Sequence, residues 1–86
     1  MLDITNNSDT WVLTPAEIKA VFAKAKTGDK IVYCVGDLSF MREVGPDRFD
    51  ADKTADYTYG RYLAGEAELT REKLGYGRFE YRVTKR

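Results

Sequence analysis

The sequence contains no histidine and a single cysteine, Cys34. These two shortages remove most enzyme chemistry. Ser–His and Cys–His pairs have no imidazole to draw on, and a zinc site, which takes about four Cys, His or carboxylate ligands, lacks its usual donors. An internal disulfide would need a second cysteine. Net charge is missing too, since 14 Lys+Arg balance 14 Asp+Glu, whereas a dedicated nucleic-acid domain often has a pI above about 9. No stretch approaches the ~18 apolar residues of a membrane helix. The opening MLDITNNSDT has neither the basic region nor the apolar run of a secretory signal. The expectation is a cytoplasmic protein with no membrane partner. No GxxxxGK[ST] or GxGxxG phosphate-binding pattern occurs among the 7 glycines.

What is present fits one small folded unit. The chain has 86 residues, 43% hydrophobic and 33% charged, which indicates a single domain over 1–86, with residues 1–10 read as a flexible lead-in. A domain this size buries only about 60–65% of its unfolded surface, so its core is small. The expectation is a binding protein, not an enzyme, with no cofactor and no metal.

The clearest local signal is Thr14-Pro15-Ala16-Glu17. Thr14 and Glu17 have the spacing of a capping box, Pro15 suits the first helical position, and Leu13 and Ile18 suit a hydrophobic staple. Ile18, Val21, Phe22 and Ala25 then recur at i, i+3, i+4, i+7, which predicts a helix over 15–26. Residues 30–35 are β-branched and aromatic, apolar on both faces, and predict an internal strand. Asp37 or Ser39 starts a short helix with Leu38, Met41 and Val44 inward, and Gly45-Pro46 breaks it. Residues 46–53 read as an acidic loop around Phe49. A second helix is expected over 54–64, with Ala55, Tyr59, Tyr62 and Leu63 on the core face and Thr54, Tyr57, Thr58 and Arg61 on the other. Thr10–Leu13 suggests an edge strand with Trp11 against the core. Residues 67–83 alternate about a turn at Gly75-Tyr76-Gly77, which predicts a β-hairpin. Pairing Leu69 with Tyr81 and Ala67 with Val83 sets Glu72 opposite Arg78 and Glu68 opposite Arg82, so pattern and charge favour one register. The order helix, strand, short helix, helix, hairpin is that of a winged-helix domain within the α+β class.

Three blocks carry a resemblance: Gly28-Asp29-Lys30-Ile31-Val32-Tyr33 with Gly36 and Leu38; Tyr62-Leu63-Ala64-Gly65 with Leu69; and Gly77-Arg78-Phe79-Glu80-Tyr81. Over roughly its last two-thirds the chain resembles a family of small, mostly uncharacterised proteins of proteobacterial phages and prophages. The resemblance implies a compact accessory protein and brings no activity or catalytic residues.

The remaining chemistry is a matter of surfaces. Asp47, Asp50, Asp52 and Asp56 fail the calcium-loop pattern, because counting from Asp50 puts Ala55 where glycine belongs and Arg61 where the closing Glu belongs. Cys34 reads as a small buried hydrophobe. Residues 70–86 hold six basic side chains against two acidic ones, a net +4. With Arg78 and Arg82 assigned to glutamates, Arg71, Lys73, Lys85 and Arg86 are left as surplus cations around Tyr76 at the hairpin tip. A DNA-contacting wing has this pattern, with cations on phosphates and a tip residue in a groove. Lysines that protect a sheet edge produce the same pattern. Two functions follow as expectations. One is a phage-type regulatory module that binds DNA through Thr54, Tyr57, Thr58, Arg61 and the basic hairpin. The other is a protein-binding accessory, such as an inhibitor of a host defence or transcription enzyme, favoured by acidic residues 47–56 beside the proposed recognition helix.

Overall fold

The computed structural model describes residues 10–75 and 77–86. The expectations for residues 1–9 and for Tyr76 lie outside them. Among the described residues the chain forms four strands and three helices in the order β1 (Trp11–Val12), α1 (Pro15–Lys24), β2 (Lys30–Gly36), α2 (Leu38–Glu43), α3 (Arg48–Leu63), β3 (Ala67–Gly75) and β4 (Arg78–Lys85). It is a small α+β domain. The antiparallel sheet has the order β1-β2-β4-β3.

Local sequence builds α1. The Thr14 N–H donates to Glu17 Oε1 at 2.8 Å and the Glu17 N–H to Thr14 Oγ1 at 3.1 Å, which closes the capping box. The helix stops at Lys24, two residues short of the expected end, because Ala25 is extended and the chain turns through Asp29, whose Oδ2 accepts from the Lys26 N–H at 2.9 Å. Ile18 and Phe22 are buried, whereas Val21 is exposed. β2 is internal, between β1 and β4. The other expectation for the edge strand is corrected. Val12, opposite Cys34, packs on the core, so alternation sends Trp11 to the other side of the sheet, where it is 40% exposed.

The short helix α2 is fixed from three directions. Asp37 caps it by accepting from the Phe40 N–H, and the Leu38 N–H donates to the Tyr81 hydroxyl at 3.1 Å. Gly36 lets it approach the sheet: a Cβ there would lie 2.8 Å from Met41 Sδ, and its φ of +141 disfavours any side chain. Leu38 and Met41 face the core, but Val44 is exposed.

Residues 48–53, expected as loop, are the first turns of α3. Asp47 occupies the N-cap position without a side-chain cap bond, so no local signal marks the start. Tertiary contacts supply what the cap does not. Ala51 is buried, Asp50 favours the positive end of the helix dipole, and Arg42 on α2 bridges Asp52 and Asp56 one turn apart.

The hairpin forms with its inner and outer faces as expected and its pairing displaced by two residues. Leu69 pairs with Val83, Ala67 with Lys85 and Arg71 with Tyr81. The reversal lies between Gly75 and Arg78, with a register shift after Lys73. A two-residue offset preserves the face of every side chain. It does change the ion pairs. Arg82 bridges Glu72 and Glu80, Glu68 pairs with Arg86 at 3.4 Å, and among the described residues Arg78 forms no ion pair. Bonds first to Glu80 and then to Glu72 push the Arg82 guanidinium pKa up. The core joins Ile18 and Phe22 of α1 to Tyr33, Cys34, Tyr81 and Val83 of the sheet.

Candidate functional site

The long helix α3 decides what this molecule presents to a partner. Ala51, Thr54, Ala55 and Thr58 recur at i, i+3, i+4, i+7 and are the buried residues of the helix. The expectation that Thr54 and Thr58 lie on the open face is therefore overturned: they are 0% and 1% exposed. Small side chains let the helix approach the sheet closely. Backbone carbonyls take up the hydroxyls, with Thr54 Oγ1 donating to the Leu13 carbonyl at 2.7 Å and Thr58 Oγ1 to the Ala55 carbonyl at 3.1 Å. Burial pushes the Tyr33 hydroxyl pKa up, and the neighbouring Thr58 side chain partly opposes that push. Tyr59, Tyr62 and Leu63, expected in the core, are 54%, 49% and 66% exposed.

The other two residues of that expected face lie on the flank toward α1. Tyr57 is half-buried, edge-on to Phe22 with ring centroids 6.1 Å apart. Lys19 Nζ and the Arg61 guanidinium lie 5.9 and 5.5 Å from its centroid. Arg61 also pairs with Glu66 at 2.8 Å. Tyr57 and Arg61 thus serve the α1–α3 junction and remain partly accessible.

The hairpin cations divide. Lys85 turns inward, donating to the Phe22 carbonyl at 2.9 Å with its ammonium 5.0 Å from the Phe22 ring centroid, so it is not a surplus cation. Arg86 is paired with Glu68. Among the described residues Arg71, stacked on Phe79 at 4.8 Å, and Lys73 have no carboxylate partner. Arg71 and Lys73, two apart on β3, share one face of the strand and are exposed, whereas Thr54 and Thr58 are buried and offer no common surface with them.

The side chains α3 does present were not foreseen as a set. Phe49, Asp52, Asp56, Tyr59 and Leu63 follow one another at spacings of three and four along one stripe of the helix. Phe49 is 73% exposed, and Phe40 and Val44 of α2 add further exposed apolar surface. Arg42 holds Oδ1 of Asp52 at 2.7 Å and of Asp56 at 3.5 Å. Beside the stripe, Leu38, Arg42, Asp56, Tyr59 and Leu69 line a groove of about 420 Å³ whose floor includes Tyr33 and Thr58. The stripe is recognisable as periodic only once the helix is known to start at Arg48.

Cys34 is buried 3.8 Å from Met41 Sδ, and burial, with a smaller push from the Asp37 charge, raises its thiol pKa to about 12. It is held as the unreactive thiol. Among the described residues no three His, Cys, Asp or Glu side chains converge as a metal site, and no helix is long and apolar enough to cross a membrane. Comparison of the chain with known protein families, curated proteins and solved structures returns no match.

Proposed function

We propose that this domain is a non-enzymatic protein-binding module whose contact surface is the exposed face of α2 and α3. The observation that carries the reading is the stripe Phe49–Asp52–Asp56–Tyr59–Leu63. Large exposed apolar side chains grouped on one face mark an interaction site, and aromatic residues are enriched where proteins meet. A DNA-reading helix needs donors and cations at these positions, and here the central side chains are carboxylates, which phosphate repels. The phage-type resemblance would make the module an accessory acting on a host enzyme in the cytoplasm.

A second reading rests on a separate observation. The helix–strand–helix–helix–hairpin order, with β2 against the second hairpin strand, supports a winged-helix assignment. Arg71 and Lys73 would then be the phosphate contacts of the wing, without help from Lys85 or Arg86.

One experiment separates the two. A photo-crosslinking residue replaces Phe49, or Lys24 on α1 as a control, and the protein is incubated in nuclease-treated bacterial lysate. A discrete protein adduct from position 49 alone is expected, lost in Tyr59→Ser. In parallel, fluorescence anisotropy measures binding to labelled duplex DNA at several salt concentrations. No specific adduct, together with duplex binding whose log K falls by about 0.9 per log salt for each neutralised phosphate and weakens in Lys73→Ala, would establish the DNA reading instead.

A further inference from the structure

The protein-binding reading leaves the partner's chemistry open, and the stripe on α3 constrains it. Positions 49, 52, 56, 59 and 63 are spaced three, four, three and four apart. That is the seam spacing by which one helix packs along another. The fourteen steps from Phe49 to Leu63 rise about 21 Å at ~1.5 Å per residue, or roughly four turns. The ends of the seam are apolar: Phe49 on one side, Tyr59 and Leu63 on the other, all three exposed. Its centre is acidic. Arg42 occupies Oδ1 of both Asp52 and Asp56, so among the described residues each carboxylate keeps a second oxygen free to accept.

We infer that the occupant of this seam is a cationic amphipathic helix of the partner protein. Its apolar side chains cover Phe49, Tyr59 and Leu63, and its central Lys or Arg side chains bind Asp52 and Asp56. An uncharged apolar helix does not fit, because it would desolvate two carboxylates with one guanidinium between them. A second copy of this chain does not fit either. Antiparallel self-pairing that sets Phe49 on Leu63 centres the seam on residue 56 and opposes Asp56 to Asp56. The surrounding charge agrees, since residues 37–56 carry six acidic side chains against three basic ones. Central charged pairs fix register and exclude wrong partners more than they add raw affinity.

The test uses the full chain and synthetic peptides. The probe is a four-turn amphipathic peptide with leucines at the seam ends and two lysines at the centre. Its twin has glutamates in place of the lysines. Amide chemical-shift mapping on the isotope-labelled protein is expected to place the lysine peptide on residues 49–63. Asp52→Asn with Asp56→Asn should weaken it about tenfold or more, in line with couplings measured for close charge pairs across interfaces. Asp52→Lys with Asp56→Lys should reverse the preference and bind the glutamate twin. Asp56 is exposed and Asp52 half-buried, and both pair with Arg42 at the start of α3, so circular dichroism of each variant checks that the helix persists before binding is compared. Equal binding of both peptides, binding indifferent to the aspartates, shifts confined to Arg71 and Lys73, or a dimer that buries the stripe would each overturn the inference. Failure here is separable from failure of the protein-binding reading. A position-49 adduct that forms undisturbed by excess lysine peptide removes the cationic helix and leaves the surface, whereas loss of both the adduct and the shifts removes the surface as well.

Discussion

Thr54→Val is the sharpest test of how α3 is rotated. The substitution keeps the β-branched shape and exchanges a hydroxyl for a methyl. On an exposed helix face such a change stays within about ±0.5 kcal/mol. In this structure Thr54 is 0% exposed and its hydroxyl donates at 2.7 Å to the Leu13 carbonyl, the residue that enters the capping box of α1. Valine therefore removes a buried hydrogen bond and leaves that carbonyl without the partner. The net worth of one such bond is about 0.5–1.5 kcal/mol, and an orphaned buried acceptor costs about 1–3 kcal/mol. Leu13 is only partly buried, so water recovers some of the loss and the lower half of that range applies, about 1–2 kcal/mol. For a domain of this size that lowers Tm by roughly 4–8 °C per kcal/mol. Urea unfolding followed by far-UV circular dichroism should show a lower midpoint with an unchanged m-value. Thr54→Ser, which keeps the donor, should retain most of the bond and lose only methyl packing. A Thr54→Val midpoint equal to that of the parent would mean that Thr54 faces solvent and that the buried face of α3 has been misassigned.

Thr14→Ala should destabilise by about 0.5–2 kcal/mol, because it opens the capping box of α1, and thermal unfolding measures this directly. Lys85→Met should lower stability by about 1 kcal/mol, since it removes the bond to the Phe22 carbonyl and the ammonium over the ring; an unchanged stability accompanied by a lost affinity for duplex DNA would return Lys85 to the surface. Cys34 has a folded pKa raised from 9.0 to about 12, so between those values the unfolded chain loses a proton that the folded chain keeps. The Cys34 contribution to stability is constant below about pH 9 and is lost as pH rises toward 12, so the alkaline fall in stability should be shallower in Cys34→Ala. In the native protein at pH 8 the thiol should react with an aromatic disulfide reagent only at the rate of unfolding.

The parts of this fold that the sequence announces are those whose causes lie close together in the chain. Thr14, Pro15 and Glu17 specify the start of α1 within four residues, and the structure closes those same bonds. Alternation in β3 and β4 specifies which side chains face the core, because the pleat has period two. Which residue pairs with which depends on where the chain reverses. The chain reverses between Gly75 and Arg78, where the glycines suggest, but pairing Leu69 with Tyr81 implies a reversal centred one residue earlier, which moves every partner by two. The start of α3 has a cause ten residues away, since Arg42 must reach across from α2 to hold Asp52. Read alone, residues 46–53 look like a solvated acidic loop. Held by Arg42 and by the packing of Ala51, residues 48–53 are helix.

The candidate surface was hidden for a related reason. Hydrophobicity alone assigns Tyr59, Tyr62 and Leu63 to the core and the threonines to solvent. Volume and distance decide otherwise, because α3 must come close enough to β1 for Thr54 to reach the Leu13 carbonyl, and tyrosine rings in that layer would hold the helix away. The aromatic side chains displaced from the core are then what the helix offers outward, among carboxylates. Element order alone supports a DNA-binding domain, but order does not specify the chemistry of the exposed helix face. Asp52 and Asp56 already accept one guanidinium, from Arg42 in the same chain. On the proposed reading a second cation, carried by a partner, would make the same kind of contact beside Arg42, whereas the two carboxylates would repel a phosphate backbone.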